Sequence, residues 1–164
     1  VTAVSKPATS SSGASFAGPY RYLLWRRWTD ASSVLFVMLN PSTADARRDD
    51  PTIRRCIGFA RAWGFGGVEV VNLFAWRATD PRELRRAADP IGPDNDRAIA
   101  KAAARNHAII AAWGVHGALL ERDRQVAVLL AGARVHCLAR TGNGAPRHPL
   151  YVRAAVRAAE LLTG

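Results

Sequence analysis

Four apolar runs, separated by segments of helix length, constrain this chain most. They read "SVLFVMLN" (33–40), "VEVVNLF" (68–74), "AIIAAWG" (108–114) and "RVHCLA" (134–139). Runs with so few polar positions fit strands covered on both faces, the environment of a parallel sheet. Between the first two, "DDPTIRRCIGFARAWGF" (49–65) reads as a helix. Asp50 is placed to cap it and Pro51 to open it. Ile53, Ile57, Ala60 and Trp63 recur there at helical spacing. "PDNDRAIAKAAARN" (93–106) and "ALLERDRQVAVLLAGA" (118–133) supply two more helices, and "VRAAVRAAELLTG" (152–164) a closing one. The polar connection that starts at 77 carries a short helical turn at Asp80, Pro81 and Glu83, and "YRYLLWRRW" (20–28) reads as an edge strand. Strands alternating with helices predict an α/β fold: a three-layer α/β/α sandwich around a central, mostly parallel four-stranded sheet.

A chain of 164 residues is long enough for one domain with its own core. Residues 1–18 are rich in Ser, Ala and Gly and read as a loose tail, which leaves 19–164 as the single domain. No stretch reaches membrane-spanning length, and the tail has no apolar centre of the secretory kind, so the cytoplasm is the expected compartment. Lys plus Arg number 23 against 13 Asp plus Glu, a formal charge of +10. A field of that sign attracts polyanions, so nucleic acid is an expected partner. Cys56 and Cys137 lie far apart, and His107, His116, His136 and His148 lack zinc-type spacing, so neither metal nor cofactor is expected. A dinucleotide site is also disfavoured: no GxGxxG follows the first strand, and "GFGG" (64–67) precedes a strand instead.

In parallel sheets, ligands bind beyond the carboxyl ends of the strands. Asn40, Asn72, Trp113, Gly114 and the loop of His148 all fall there. In "MLNPSTAD" (38–45) the chain leaves a strand and turns at Pro41, where Ser42, Thr43 and the backbone amides are either ordinary turn groups or an anion or base contact. Asn72 carries an acceptor and a donor pair, for neighbouring backbone or for a base edge. "GNGAPRHPLY" (142–151) places Leu150 and Tyr151 beside Arg147, with Arg140 just upstream. An apolar wedge with guanidinium groups suits a nucleic-acid contact. His148 is either a cap for the last helix or a donor to developing negative charge.

Together these stretches resemble the uracil-DNA glycosylase superfamily. "MLNPS" is similar to the first motif of that family, in its Asn-Pro version. "GVEVVNLFAW" resembles the strand ending in the uracil-reading asparagine. "IIAAWGVHG" resembles the strand that ends in Trp-Gly, and "VHCLARTGNGAPRHPLY" the final strand and His-Pro loop. The same pattern also resembles a family of bacterial domains of unknown function. The resemblance implies base flipping and hydrolysis of the N-glycosidic bond of deoxyuridine by a monomer. It implies catalytic roles for Asn40 and His148; branches with Asp at the Asn40 position use it on the water, a carboxylate that Asp45, Asp49 or Asp50 would supply here, with Asp50 also the cap of its helix. It implies a substrate pocket of Pro41, Ser42, Asn72, Phe59, Phe74, Trp113 and Gly114, with Trp76 a further aromatic candidate. Arg140, Arg147, Leu150 and Tyr151 would contact DNA. Two alternatives stand beside it: a glycosidase for another modified base or a nucleotide, and a non-catalytic domain that binds damaged or single-stranded DNA.

Overall fold

The structure, a computed structural model, describes residues 10–156 and 162–163. Its strands are β1 (Ser11–Ala17), β2 (Tyr20–Arg27), β3 (Ser33–Met38), β4 (Gly67–Asn72), β5 (Ala108–Ala111), β6 (Val135–Cys137) and the two-residue β7 (Leu162–Thr163). Its α-helices are α1 (Pro51–Ala62), α2 (Asn95–Arg105) and α3 (Arg122–Leu129). The strands form one mixed sheet in the order β1-β2-β4-β3-β5-β6-β7. The four apolar runs supply its parallel centre, β4-β3-β5-β6.

The expected four-stranded sheet is therefore wider than the apolar pattern indicated. Segment 20–28 is no edge: β2 pairs antiparallel with β1 on one side and β4 on the other. Of the expected tail, Ser11–Ala17 is a strand, whereas residues 1–9 lie outside the described residues. Its signal is faint because only Gly13 of β1 is buried. A Cβ on Gly13 would stand 2.1 Å from Trp25 Cζ2, so the indole covers a place that only glycine leaves open. The expected helix at 118–133 is shorter. A 3-10 stretch, Val115–Glu121, precedes α3, and Leu120 and Glu121 adopt left-handed conformations that a continuous helix forbids. The expected closing helix is absent from 152–156, and Leu162–Thr163 are β-paired; residues 157–161 and 164 lie outside the described residues.

The central strands are buried on both faces, as their composition requires. Phe36, Met38, Val68, Val70 and Ile110 pack with Ile53, Cys56 and Phe59 of α1. Leu35, Val37 and Val71 pack with Ile99 and Ala102 of α2 and Val126 of α3. Neighbouring residues of one strand thus enter different cores, following the two-residue period. Asp50 starts α1: its Oδ1 accepts the Ile53 N–H at 2.9 Å while Pro51 occupies the first helical position. Gly64, at φ +83°, follows the helix end in the left-handed conformation suited to glycine. No helix among the described residues is long and apolar enough to cross a membrane.

Candidate functional site

The chain crosses from β3 to β4 through α1, then from β4 to β5 on the other side of β3 through α2. The loops leaving β3 and β5 lead to helices packed in different cores. They part over the β3–β5 seam, the place where open α/β sheets bind ligands. A cavity of about 560 Å³ lies here. Its walls come from the segments after β3, β4, β5 and β6 and from the first turn of α1.

Asn40 stands on the wall that follows β3. Its Nδ2 donates to Pro41 O at 3.0 Å and Ala78 O at 2.8 Å, so both amide protons hold backbone. Its Oδ1 is left as the acceptor that this cavity residue can offer a ligand or water. Ser42 and Thr43 line the same wall. Pro41 does not; it is buried, and its carbonyl accepts from Asn40 and from Ala78 N–H. Asp50 lines the cavity while accepting Ile53 N–H through Oδ1 and Ala44 N–H, at 3.3 Å, through Oδ2. One carboxylate thus fixes the start of the helix and the loop before it.

His148 lines the cavity from the segment after β6. Its Nδ1 accepts the Leu150 N–H at 3.2 Å, which caps the 3-10 turn Pro149–Tyr151. A ring that accepts through Nδ1 carries its proton on Nε2, so its remaining polar group is a donor. Burial holds the His148 pKa below its usual value, opposed by the negative charge of Asp50. The ring is therefore neutral at neutral pH. Trp113, Gly114 and Arg147 also line the cavity, and Gly114 N–H donates to Pro146 O at 2.8 Å, joining the loops after β5 and β6. Leu150 and Tyr151 stand at the rim, 44% and 74% exposed.

Asn40, Ser42, Asp50, Trp113, Gly114, Arg147, His148, Leu150 and Tyr151 thus line one cavity. Four other expected pocket or DNA residues do not line it. Phe59 stacks on Trp63 in the core beneath α1, and Phe74 is buried in the core of α2 and α3, so the two rings serve different cores. Arg140 is turned to its own loop, donating to Gly144 O at 3.1 Å. Asn72 is only 2% exposed, and its backbone carbonyl accepts from Asn95 Nδ2 at 2.9 Å. Trp76 is likewise outside the lining, edge-on to Tyr20.

Arg21 takes the place the sequence reading gave to Asn72. It lines the cavity, is 2% exposed, and points Nη2 at Asn72 Oδ1 over 3.5 Å. Its Nη1 donates to Ala44 O at 3.0 Å. Burial lowers its pKa to about 10, against the opposing pull of Asp50, which leaves it a cation at neutral pH. Thr52, Thr79, His116 and Thr141 also line the cavity without having been singled out. For Thr52 there was a signal, its place next to the Asp-Pro helix start; for Arg21 there was none.

The family described as Protein of unknown function (DUF1643) matches residues 21–150. The chain belongs to that family. No curated protein and no solved structure matches it. The DUF1643 span begins on Arg21 and ends on Leu150, so it takes in every cavity residue except Tyr151. The sheet centre and the cavity are therefore both features of the DUF1643 part of the chain.

Proposed function

We propose that this DUF1643 protein hydrolyses the N-glycosidic bond of a base in DNA, with uracil the first base to test. The reading takes the fold as a three-layer α/β/α sandwich of the uracil-DNA glycosylase kind, working as a cytoplasmic monomer. The observation that carries it is one convergence: His148 with a free Nε2–H donor, Asn40 with a free Oδ1 acceptor and the Asp50 carboxylate all line a cavity of nucleotide size.

Each group has a role in that chemistry. The departing base leaves as an anion, and a neutral donor stabilises it without first binding a proton. Asn40 Oδ1 accepts from a water and orients it toward the sugar carbon. Asp50 is the carboxylate available to take the proton of that water. Leu150 and Tyr151 fill the stack that the flipped nucleotide vacates, and the +10 charge holds the phosphates. Asn72 does not line the cavity and is linked to it through Arg21.

A labelled oligonucleotide with one deoxyuridine, treated with alkali after incubation, tests the reading. Uracil-dependent strand cleavage that is lost in Asn40→Ala, beside an uncut thymine-only control, is the expected result. No cleavage in single or double strands, with DNA affinity intact, would instead favour the modified-base or binding-module alternative.

A further inference from the structure

Arg21 is a buried cation without a carboxylate: among the described residues, no acidic oxygen lies within 4.0 Å of it. Buried charges are ordinarily paired. The other two buried arginines among the described residues are: Arg26 meets Asp49 at 2.8 Å and Arg122 meets Asp96 at 2.5 Å. Arg21 has only Ala44 O and, at a long 3.5 Å, Asn72 Oδ1. Its buried Nε has no partner. A guanidinium carries five N–H groups, so most of its capacity is unused. Asp50 acts on Arg21 from a distance, but each of its oxygens already accepts a backbone N–H.

The first turn of α1 reaches the same cavity through Pro51, Thr52 and Ile53. Pro51 has no N–H, and that of Ile53 goes to Asp50. The Thr52 N–H and hydroxyl remain, at the positive end of a 12-residue helix. A buried cation with spare donors and a helix N-terminus lining one cavity are complementary to a group with several negative oxygens.

We infer that Arg21 and the first turn of α1 form a phosphate seat, so that the cavity takes a nucleotide by its phosphate as well as by its base. The nucleotide part rests on the glycosidase reading above; the oxyanion seat does not. The phosphate has two sources, a free nucleoside 5′-monophosphate or a phosphodiester of a DNA strand.

Calorimetric titration of the full chain with deoxyuridine, deoxyuridine 5′-monophosphate, a trinucleotide with internal deoxyuridine and inorganic phosphate tests the seat. The monophosphate or the trinucleotide should bind at least about tenfold tighter than the nucleoside, the scale of a hydrogen bond to a charged group. Inorganic phosphate should compete. Arg21→Gln should abolish the preference and Arg21→Lys should keep part of it, since Lys retains charge but not the fork. Tight binding of the monophosphate alone assigns a free nucleotide; tight binding of the trinucleotide assigns a strand. Equal binding of nucleoside and monophosphate, or no binding of any probe, overturns the inference. Should Arg21→Gln not fold, the wild-type comparison and Arg21→Lys decide. A phosphate preference without base release would refute the glycosidase and leave the seat standing.

Discussion

His148 accepts the backbone N–H of Leu150 through Nδ1 at 3.2 Å. One bond fixes two things: which ring nitrogen carries the proton, and where the exposed Leu150 side chain stands at the cavity rim. The histidine proposed to stabilise the leaving base is thereby the cap of the turn that carries the proposed wedge.

Acid should break that arrangement. An imidazolium has no lone pair for the Leu150 N–H, and burial already holds the His148 pKa below 6.5. The folded state therefore prefers the neutral ring, and the unfolded chain takes up the proton first as pH falls. The stability contributed by this preference is complete above pH 6.5 and is lost below it, through the folded-state pKa. Base release should follow the same direction, flat above neutrality and falling in acid. A pH–rate profile checks it, and the fall should vanish in His148→Asn.

His148→Asn should separate the two duties of the residue. Asparagine is a good capping side chain and can still accept the Leu150 N–H. It places no donor where Nε2–H stood. Thermal melting should change little, whereas base release should slow by about one to three decades, the cost of losing one oxyanion-type donor. Unchanged turnover would remove His148 from the mechanism.

Asn40→Asp should destabilise the protein. The amide protons of Asn40 hold Pro41 O and Ala78 O, and a carboxylate donates to neither. Two carbonyls would face negative oxygens, at a cost of about 1–3 kcal/mol. Urea unfolding measures it. An added carboxylate at this position should therefore bring no gain in turnover.

Asp50 allows a comparison of the opposite kind. Asp50→Asn keeps an acceptor for Ile53 N–H but loses the one for Ala44 N–H, so it should cost about 1 kcal/mol, and Asp50→Ala, which loses both acceptors, more. If the carboxylate takes the proton from water, both variants should lose turnover by at least about tenfold. Chemical denaturation beside single-turnover kinetics reads the two effects apart.

Leu150→Ala should hurt duplex substrate more than single-stranded substrate. Only a duplex has a stack for an apolar side chain to fill. Base-release rates on both forms check this, and equal losses would argue against a wedge.

What the sequence made legible follows from how each element is held. β3, β4 and β5 could be read because side chains on both faces are buried, and Asp50 could be read because Asp-Pro at a helix start has a local cause. β1 could not be read. Its Ser, Gly and Ala contribute almost no apolar burial, and pairing with β2 is what holds it. Arg21 gave no signal of its own: reading 20–28 as an edge strand leaves its burial open, whereas this sheet is covered on both faces at that end. Asn72 was placed correctly at the end of a strand. Periodicity, however, says that a side chain is buried and not whether a cavity or the protein receives it. The convergence of Asn40, Asp50 and His148 was legible only as far as the strand-end rule reaches, and the cation was not.

Arg21 is the one cavity residue that comes from β2, in the antiparallel part of the sheet; the other groups come from β3 onward. The cavity is therefore a composite of two separately paired halves. A chain that had joined only its parallel strands would possess the walls, the hydrogen-bonding rim and the Asp50 carboxylate but not the buried cation. The cationic character of the site thus depends on the pairing of β2 with β4, not on the parallel strands that build its walls.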